Sequence, residues 1–299
     1  MEITPVGRFD LKQSLTFGFG QREAATDTAQ APTMPLGFVL DGYDEQVGVV
    51  VSQQPSGALT VDIAGGRLES RDAARGQVAR ALSLDIDATG WDALGERDEL
   101  VGALQAARPG LRPPLFYSAY EALAWAVLSA RRPRQQMATL RAQLSAVHGA
   151  TIDVAGEQIL VMPTPRQLLS VLSFPGLSAE KIERLHGVAR AALDGALDTA
   201  ELRSLPTDEA AARLRKLDGI GPFYAELVIV RALGHTDVLP SAEPQLLALA
   251  GELVGAGRAL TPAELDAYGR GHWTPWRTWA CVAVRAAGPG LLAGSSRPA

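Results

Sequence analysis

The sequence predicts an α+β protein, with a small N-terminal antiparallel sheet domain followed by a mostly α-helical region. Three short segments rich in β-branched residues, 37–40, 47–51 and 58–63, alternate with turns of Gly, Asp, Pro and Ser, a pattern typical of an antiparallel meander. Beyond residue 108, apolar residues recur at helical spacing almost to the C-terminus. The turn after residue 108 is therefore the predicted domain boundary.

The predicted N-terminal domain, residues 1–108, combines this meander with a helix. Ser70 precedes the segment 71–84, in which Ala74, Val78 and Ala81 lie on one helical face. The first domain is therefore expected to be of mixed α+β type.

The second region, residues 109–288, is predicted to be helical with a short interruption by strands at 151–154 and 158–161. The helices are expected at 119–128, 135–147, 165–172, 179–193, 208–217, 222–233, 244–253, 262–268 and 275–287. Residues 289–299 are predicted to form a flexible tail, because chain termini are often poorly ordered.

Composition limits the cellular setting. The chain has 299 residues, of which 47% are hydrophobic, enough for more than one core. No apolar run approaches the roughly 20 residues that cross a bilayer, and residues 1–5 lack the basic and apolar regions of a signal peptide. We therefore expect a cytoplasmic protein that does not bind membranes.

Few residues are available to hold a metal or cluster. Cys281 is the single cysteine in the sequence, so neither an internal disulfide nor a four-cysteine site is possible. The histidines His148, His186, His235 and His272 show no metal-ligand spacing. We expect no metal and no cofactor.

The net charge of −5 argues against a protein that coats nucleic acid, because nonspecific DNA affinity grows with the number of phosphates neutralised by Lys and Arg. Any DNA contact must therefore be local. The basic clusters 131–134 and 213–216 are candidates, and a solvated basic face is the alternative for each.

The segment 207–234 carries the strongest functional signal. Thr207 is suited to cap a helix over 208–217, which leads into the turn Gly219-Ile220-Gly221. Pro222 suits the first position of a second helix, and Gly234 suits its end. The pattern predicts two helices joined by a tight glycine turn.

Such a turn can bind phosphate without side-chain charge, because backbone amides at a helix N-terminus are free and the helix dipole favours an anion. Leu217, Gly219, Gly221 and Pro222 are therefore predicted to contact DNA, together with Lys216 just before the turn. A nucleotide-binding loop would follow a strand and carry a third glycine. A purely structural helical corner remains the alternative.

Three motifs in order resemble one family. Residues 217–225 resemble the hairpin of the helix-hairpin-helix DNA glycosylases, and residues 237–243 resemble the loop that carries their catalytic carboxylate. Residues 273–280 are similar to the Trp-x-Pro-Trp-Arg signature of the bacterial 3-methyladenine DNA glycosylase II branch. Weaker similarity extends through 108–112 and 178–181 and to the N-terminal sheet domain.

The resemblance implies an enzyme that flips a damaged purine out of double-stranded DNA and cleaves its N-glycosidic bond. In such an enzyme an ionised carboxylate stabilises the positive charge that develops on the sugar. The implied substrate is an alkylated purine of the 3-methyladenine type, and aromatic walls suit such a cation. We expect the chain to act on damaged duplex DNA as a monomer.

Glu243 stands where the family has a catalytic Asp, and the resemblance makes it the candidate catalytic residue. It precedes Pro244 and is expected at a helix N-cap, where Glu is a poorer cap than Asp because of its extra methylene. The alternative is a surface carboxylate in an inactive relative.

Other positions follow from the same resemblance. Phe223 occupies the place of the lysine nucleophile in strand-cutting members, so a monofunctional glycosylase is expected. Phe223, Leu227 and Trp273 are candidates for the base pocket, with core packing as the alternative. Arg131 lies where the family carries its wedge residue, and it could instead contact phosphate or solvent.

Two other functional classes stay open at this level. A non-catalytic binder of damaged or distorted DNA would keep the hairpin and lose the chemistry. A purely structural helical protein would use the hairpin as a corner only.

Overall fold

The computed structural model describes residues 2–17, 32–130, 133–240 and 243–295. The predicted α+β class is confirmed: a four-stranded antiparallel sheet near the N-terminus is followed by helices. The strands of this sheet are β1 (Glu2–Ile3), β2 (Thr33–Val39), β3 (Gln46–Gln53) and β4 (Leu59–Gly65). Their order is β1-β4-β3-β2, and β2 to β4 form the predicted meander.

The helices follow in chain order. They are α1 (Leu11–Thr16), α2 (Arg71–Ala81), α3 (Thr89–Arg97), α4 (Glu99–Ala107), α5 (Ala119–Ser129), α6 (Arg134–His148), α7 (Pro165–Leu169), α8 (Ala179–Leu193), α9 (Thr199–Ser204), α10 (Thr207–Leu214), α11 (Pro222–Val228), α12 (Pro244–Leu253), α13 (Pro262–His272) and α14 (Arg277–Ser295). Short 3₁₀ and π segments lie at Leu68–Ser70 and Ile229–Leu233. Within the described residues, none of the helices is long and apolar enough to cross a bilayer.

The predicted strand pair within the helical region is present as β5 (Ala150–Val154) and β6 (Glu157–Val161), and it covers the N-terminal sheet. Glycines on that face of the sheet make room for it. A Cβ added at Gly37 would lie 2.7 Å from side-chain atoms of Ile159, and one at Gly48 would lie 2.7 Å from Ile152. These glycines allow the β5–β6 strand pair to pack directly on the backbone of the N-terminal sheet.

The opposite face of the sheet carries the fully buried valines of β3. Val47, Val49 and Val51 alternate with Gly48 and Val50 along β3, and these three valines are fully buried. They join a cluster that includes Val78 of α2. Alternation with period two therefore separates a helix-covered face from a hairpin-covered face.

The predicted boundary at residue 108 does not separate the cores. Trp91 of α3 packs against Trp276 and Trp279, with ring centroids 6.4 and 5.8 Å apart. Leu104 of α4 lies in the same cluster as α12, α13 and α14. Helices α3 and α4, which precede the boundary, therefore belong to the packing of the C-terminal helices.

α14 runs on to Ser295 with Pro289 inside it, so residues 289–295 continue a helix. Residues 296–299 lie outside the described part of the chain.

A buried arginine joins the N-terminal segment to the helical region. Arg112 is fully buried and has no carboxylate in hydrogen-bond contact among the described residues. Its guanidinium donates to the carbonyl oxygens of Val6, Arg8, Ser83 and Ile86. Burial lowers the pKa of Arg112, and nearby Asp92, Asp87 and Asp85 oppose this effect.

Replacement of Gly37 by Ala should destabilise the fold, because the new methyl group overlaps Ile159 and Val161 in the hairpin. Overpacking of this kind costs about 1–3 kcal/mol. The matched control is Gly76→Ala in α2, where an added Cβ meets nothing within 4 Å. This substitution should stabilise the fold by about 0.5–1 kcal/mol, because Ala favours a helix more than Gly does. Urea unfolding measures both, and equal effects of the two variants would contradict this packing.

Candidate DNA-binding and catalytic site

The predicted glycine turn joins α10 to α11. α10 ends at Leu214, three residues earlier than expected, and it begins at Thr207, one residue earlier. The amide of Ile220 donates to Leu217 at 3.0 Å, and the buried Ile220 side chain anchors the turn in the core. The tip of the hairpin is therefore a rigid turn rather than an extended loop.

Gly219 and Gly221 differ in what their surroundings allow. Gly219 has a φ of 81°, and a Cβ there would lie 2.8 Å from the side chain of Arg184. Gly221 has an ordinary φ of −83°, and a Cβ there would meet nothing within 4 Å. Gly219 is needed by the fold itself, whereas the space at Gly221 is open to whatever approaches the turn.

The N-terminus of α11 faces outward without a cap from the described side chains. Pro222 is the first residue of the helix and has no N–H. The amides of Phe223 and Tyr224 lack intrahelical partners because they lie in the first turn. Lys216 is exposed just before the turn, while Leu217 packs against the core below it. The free amides of Phe223 and Tyr224 and the cationic side chain of Lys216 therefore lie on either side of the same turn.

The second hairpin helix continues directly into the π segment Ile229–Leu233 and ends at Gly234, which has a left-handed φ of 74°. Arg231 in this segment donates to the carbonyl of Pro114 at 2.7 Å. Burial, and next the positive charge of Arg285, lower the pKa of Arg231 to about 9. The hairpin is thus anchored to the chain just before α5.

The loop between the hairpin and α12 is held by the start of α14. Arg277 donates from Nε to Asp237 Oδ1 at 2.7 Å and from Nη2 to the Asp237 carbonyl at 2.7 Å. Thr278 donates to the carbonyl of Val238 and accepts from its amide, at 2.7 and 3.0 Å. These bonds set the path of the chain towards residue 243.

Glu243 caps α12, which corrects the expectation that the longer side chain caps poorly. Its Oε2 accepts from the amide of Leu246 at 3.0 Å. The same oxygen lies 2.9 Å from Nε of Arg285 on α14. The carboxylate is about one third exposed, at 33%, so it is both held in place and reachable from solvent.

Of the candidate pocket residues, Phe223 and Leu227 lie one turn apart on α11. Phe223 is 50% exposed, and its ring contacts Tyr224 with centroids 5.4 Å apart. Leu227 is half-buried. The core-packing alternative is therefore excluded for Phe223, which offers an aromatic surface to solvent beside the hairpin.

Trp273 is fully buried, so it cannot form the wall of an open pocket. The helix expected at 275 begins at Arg277, and Trp273 instead ends α13. Its ring packs edge-on against Tyr268, with centroids 5.2 Å apart. The structure therefore supports core packing for Trp273 rather than a place in the base pocket.

The remaining predicted residue, Arg131, lies outside the described residues. Within the described part of the chain, no group of three or more His, Cys, Asp or Glu side chains is arranged to hold a metal ion.

Sequence reasoning missed the partners of the candidate carboxylate. Arg285 lies eight residues beyond Arg277, outside the recognised motif, and only packing of α14 against the start of α12 brings it to Glu243. Arg277 is inside the motif, but only the folded structure shows that its guanidinium binds the carboxylate of Asp237.

Comparison with known proteins shows which sequences and folds the chain is similar to. No family model matches the sequence. The fold is that of a 3-methyladenine DNA glycosylase from Archaeoglobus fulgidus, with a TM-score of 0.77 over 95% of this chain and 96% of that one at 20% identity. A Schizosaccharomyces pombe 3-methyladenine DNA glycosylase in complex with abasic DNA matches 65% of this chain and 93% of its own at 22% identity, with a TM-score of 0.52. The protein has the helix-hairpin-helix DNA glycosylase fold.

Two proteins that are similar to this chain in sequence are named DNA-3-methyladenine glycosylases. The chain is 30% identical over 190 residues to DNA-3-methyladenine glycosylase 2 of Escherichia coli, covering 62% of this chain and 63% of that protein. It is 26% identical over 211 residues to DNA-3-methyladenine glycosylase of Bacillus subtilis, covering 68% and 67%. The chain thus spans less than two thirds of the length of the E. coli relative. The predicted similarity to the 3-methyladenine branch is confirmed.

Replacement of Arg277 by Gln should loosen the loop that leads to Glu243. The change removes charge-assisted bonds to a partly buried Asp237, at a cost of about 1–3 kcal/mol. The control is Arg258→Gln, which breaks the exposed ion pair with Glu264 and should cost less than about 1 kcal/mol. Urea unfolding of both variants tests this, and an equal loss would show that Arg277 is no special tether.

Proposed function

We propose that the protein is a DNA glycosylase that removes alkylated purines from duplex DNA. The observation that carries the proposal is the position of Glu243: a reachable carboxylate, fixed at the N-terminus of α12 by the amide of Leu246. It follows the hairpin in the chain by a loop that Arg277 holds in place. The names of the similar proteins support the reaction class.

The hairpin holds the DNA backbone. The uncapped amides at the start of α11 receive a phosphate, and Gly221 leaves room for it because it has no Cβ. Exposed Lys216 adds a positive charge at the same edge. This arrangement gives a net acidic protein a local grip on DNA.

The damaged purine then leaves the stack and meets Phe223, whose exposed ring can pack on a flat base. Leu227 lies one helical turn further along the same helix. Glu243 stabilises the positive charge that develops on the deoxyribose as the base departs, and water completes the hydrolysis. The products are a free base and an abasic site.

The proposed reaction stops at the abasic site. Strand cutting requires an amine nucleophile that forms a Schiff base with the sugar, and Phe223 stands at the position where related lyases carry that lysine. The side chain of Phe223 cannot form such an intermediate.

A second candidate function is a non-catalytic binder of damaged DNA. It is favoured by the contact between Arg285 and Glu243, because a guanidinium 2.9 Å from the carboxylate offsets the negative charge that the reaction requires. The two functions differ in whether free base is released.

Replacement of Glu243 by Gln should reduce release of 3-methyladenine and 7-methylguanine from methylated DNA by about 10²-fold or more, because an electrostatic stabiliser of this kind contributes on that scale. Glu243→Asp should retain measurable release. The control is Glu264→Gln, which alters a Glu that also takes part in helix capping and pairs with an arginine, but at the start of α13.

Chromatography of the released bases measures the outcome. Release that survives Glu243→Gln would overturn the catalytic assignment. A native chain that binds an abasic-site duplex and releases no base would establish the binder instead.

Replacement of Lys216 by Ala should weaken binding to undamaged and damaged duplexes alike, because a phosphate contact carries no sequence information. The slope of log Kd against log salt concentration should fall by about one. Lys12→Ala, at an exposed position on α1, serves as control and should leave the slope unchanged. Fluorescence anisotropy across a salt series measures this, and an unchanged slope for Lys216→Ala would remove Lys216 from the interface.

A further inference from the structure

The ion pair between Arg285 and Glu243 places a fixed positive charge beside the candidate catalytic carboxylate. Nε of Arg285 lies 2.9 Å from Oε2 of Glu243, and the two side chains are 34% and 33% exposed. The pair is thus reachable by a ligand rather than sealed in the core. Any base that approaches Glu243 also meets the guanidinium.

A second arginine follows the hairpin. Arg231 is half-buried, and burial and, after it, repulsion from Arg285 lower the pKa of its guanidinium. Burial, and after it the charges of Glu226 and Glu243, raise the pKa of the Cys281 thiol, whereas Arg277 lowers it. Helices α12 and α14 pack together, and their contact brings Glu243 to Arg285.

We infer that Arg285 is a specificity-determining residue that shifts the preference of the site towards uncharged damaged purines and away from cationic ones. The inference rests on the proposed glycosylase function and concerns how its site discriminates between cationic and uncharged damaged purines. The geometry that supports it is the direct contact of Arg285 with the candidate catalytic carboxylate of Glu243.

The reason is electrostatic. A purine alkylated at N3 or N7 in DNA carries a positive charge, so a neighbouring guanidinium disfavours its entry. An uncharged purine leaves with the electron pair of the N-glycosidic bond and becomes negatively charged, which the guanidinium stabilises. Water supplies the hydroxyl group to C1′ of the sugar, and its remaining proton neutralises the departed base.

The first test compares base release from two duplexes, one with 7-methylguanine and one with hypoxanthine, under single-turnover conditions. Arg285→Gln should raise the ratio of the rate for 7-methylguanine to the rate for hypoxanthine by about tenfold, the scale of one unit charge several ångströms away at a protein surface. Arg285→Lys, which keeps the charge, should stay close to the native ratio. Arg258→Gln is the matched control, because Arg258 also pairs with a Glu at a helix start.

The second test does not require chemistry. Duplexes with a cationic pyrrolidine or a neutral tetrahydrofuran in place of the damaged nucleotide differ by one charge at the reacting sugar. Arg285→Gln should raise the preference for pyrrolidine, as the ratio of the two Kd values, by about tenfold, and Arg285→Lys should leave it near the native value.

The outcomes distinguish failure of the specificity role of Arg285 from failure of the proposed glycosylase function. An unchanged rate ratio and Kd ratio in Arg285→Gln, with release of base intact, would overturn the role of Arg285 and leave the proposed function standing. Equal loss of both rates would show that Arg285 only positions Glu243, and it would overturn the specificity role. Absence of release from every duplex, with no Kd difference between the analogues, would overturn the proposed function and this inference together.

Discussion

The arrangement of this protein depends on one buried guanidinium. Arg112 lies between the N-terminal segment, the turn after α2 and the start of α14, and its guanidinium donates to backbone carbonyls of the first two of these segments. Its guanidinium also lies 5.9 Å from the ring centroids of Phe9 and Trp279. A buried charge is costly unless it is fully hydrogen-bonded, so these segments must meet around Arg112 together. The sheet and the C-terminal helices therefore behave as parts of one packed molecule.

The candidate site depends on this packing because its parts come from distant helices. α11 brings the uncapped hairpin and Phe223, α12 brings Glu243, and α14 brings Arg277 and Arg285. The aromatic packing of Trp279 against Trp91 fixes α14 against α3, and α14 in turn fixes the loop that leads to Glu243. The Trp-x-Pro-Trp-Arg signature thus has a largely structural meaning in this chain: its tryptophans fill the core, and its arginine holds Asp237.

Much of the local structure could be read from the sequence because it depends on neighbours in the chain. Segments rich in β-branched residues predicted the antiparallel meander. The sequence Gly219-Ile220-Gly221 predicted a tight turn between two helices, and Gly219 has a positive φ there. Glu243 was expected at a helix start because Pro244 follows it. Its success as a cap was not expected, because the ranking of capping residues compares side chains in isolation and Glu243 also has Arg285 to hold it. The turn near residue 108 could not reveal that α3 and α4 share a cluster with α12 to α14, because turn-forming residues mark where the chain bends, not which apolar faces later meet.

The sequence by itself determined the fold class, the hairpin and its glycine turn, because these follow from periodicity and from backbone preferences over a few residues. It also determined the resemblance to the 3-methyladenine branch, through motifs that survive as contiguous residues. Three features depend on packing between distant segments: Trp273 belongs to the core, Phe223 is exposed, and Arg285 pairs with Glu243. These are contacts between residues far apart in the chain, and their partners are selected when whole helix faces pack together, which no local pattern encodes.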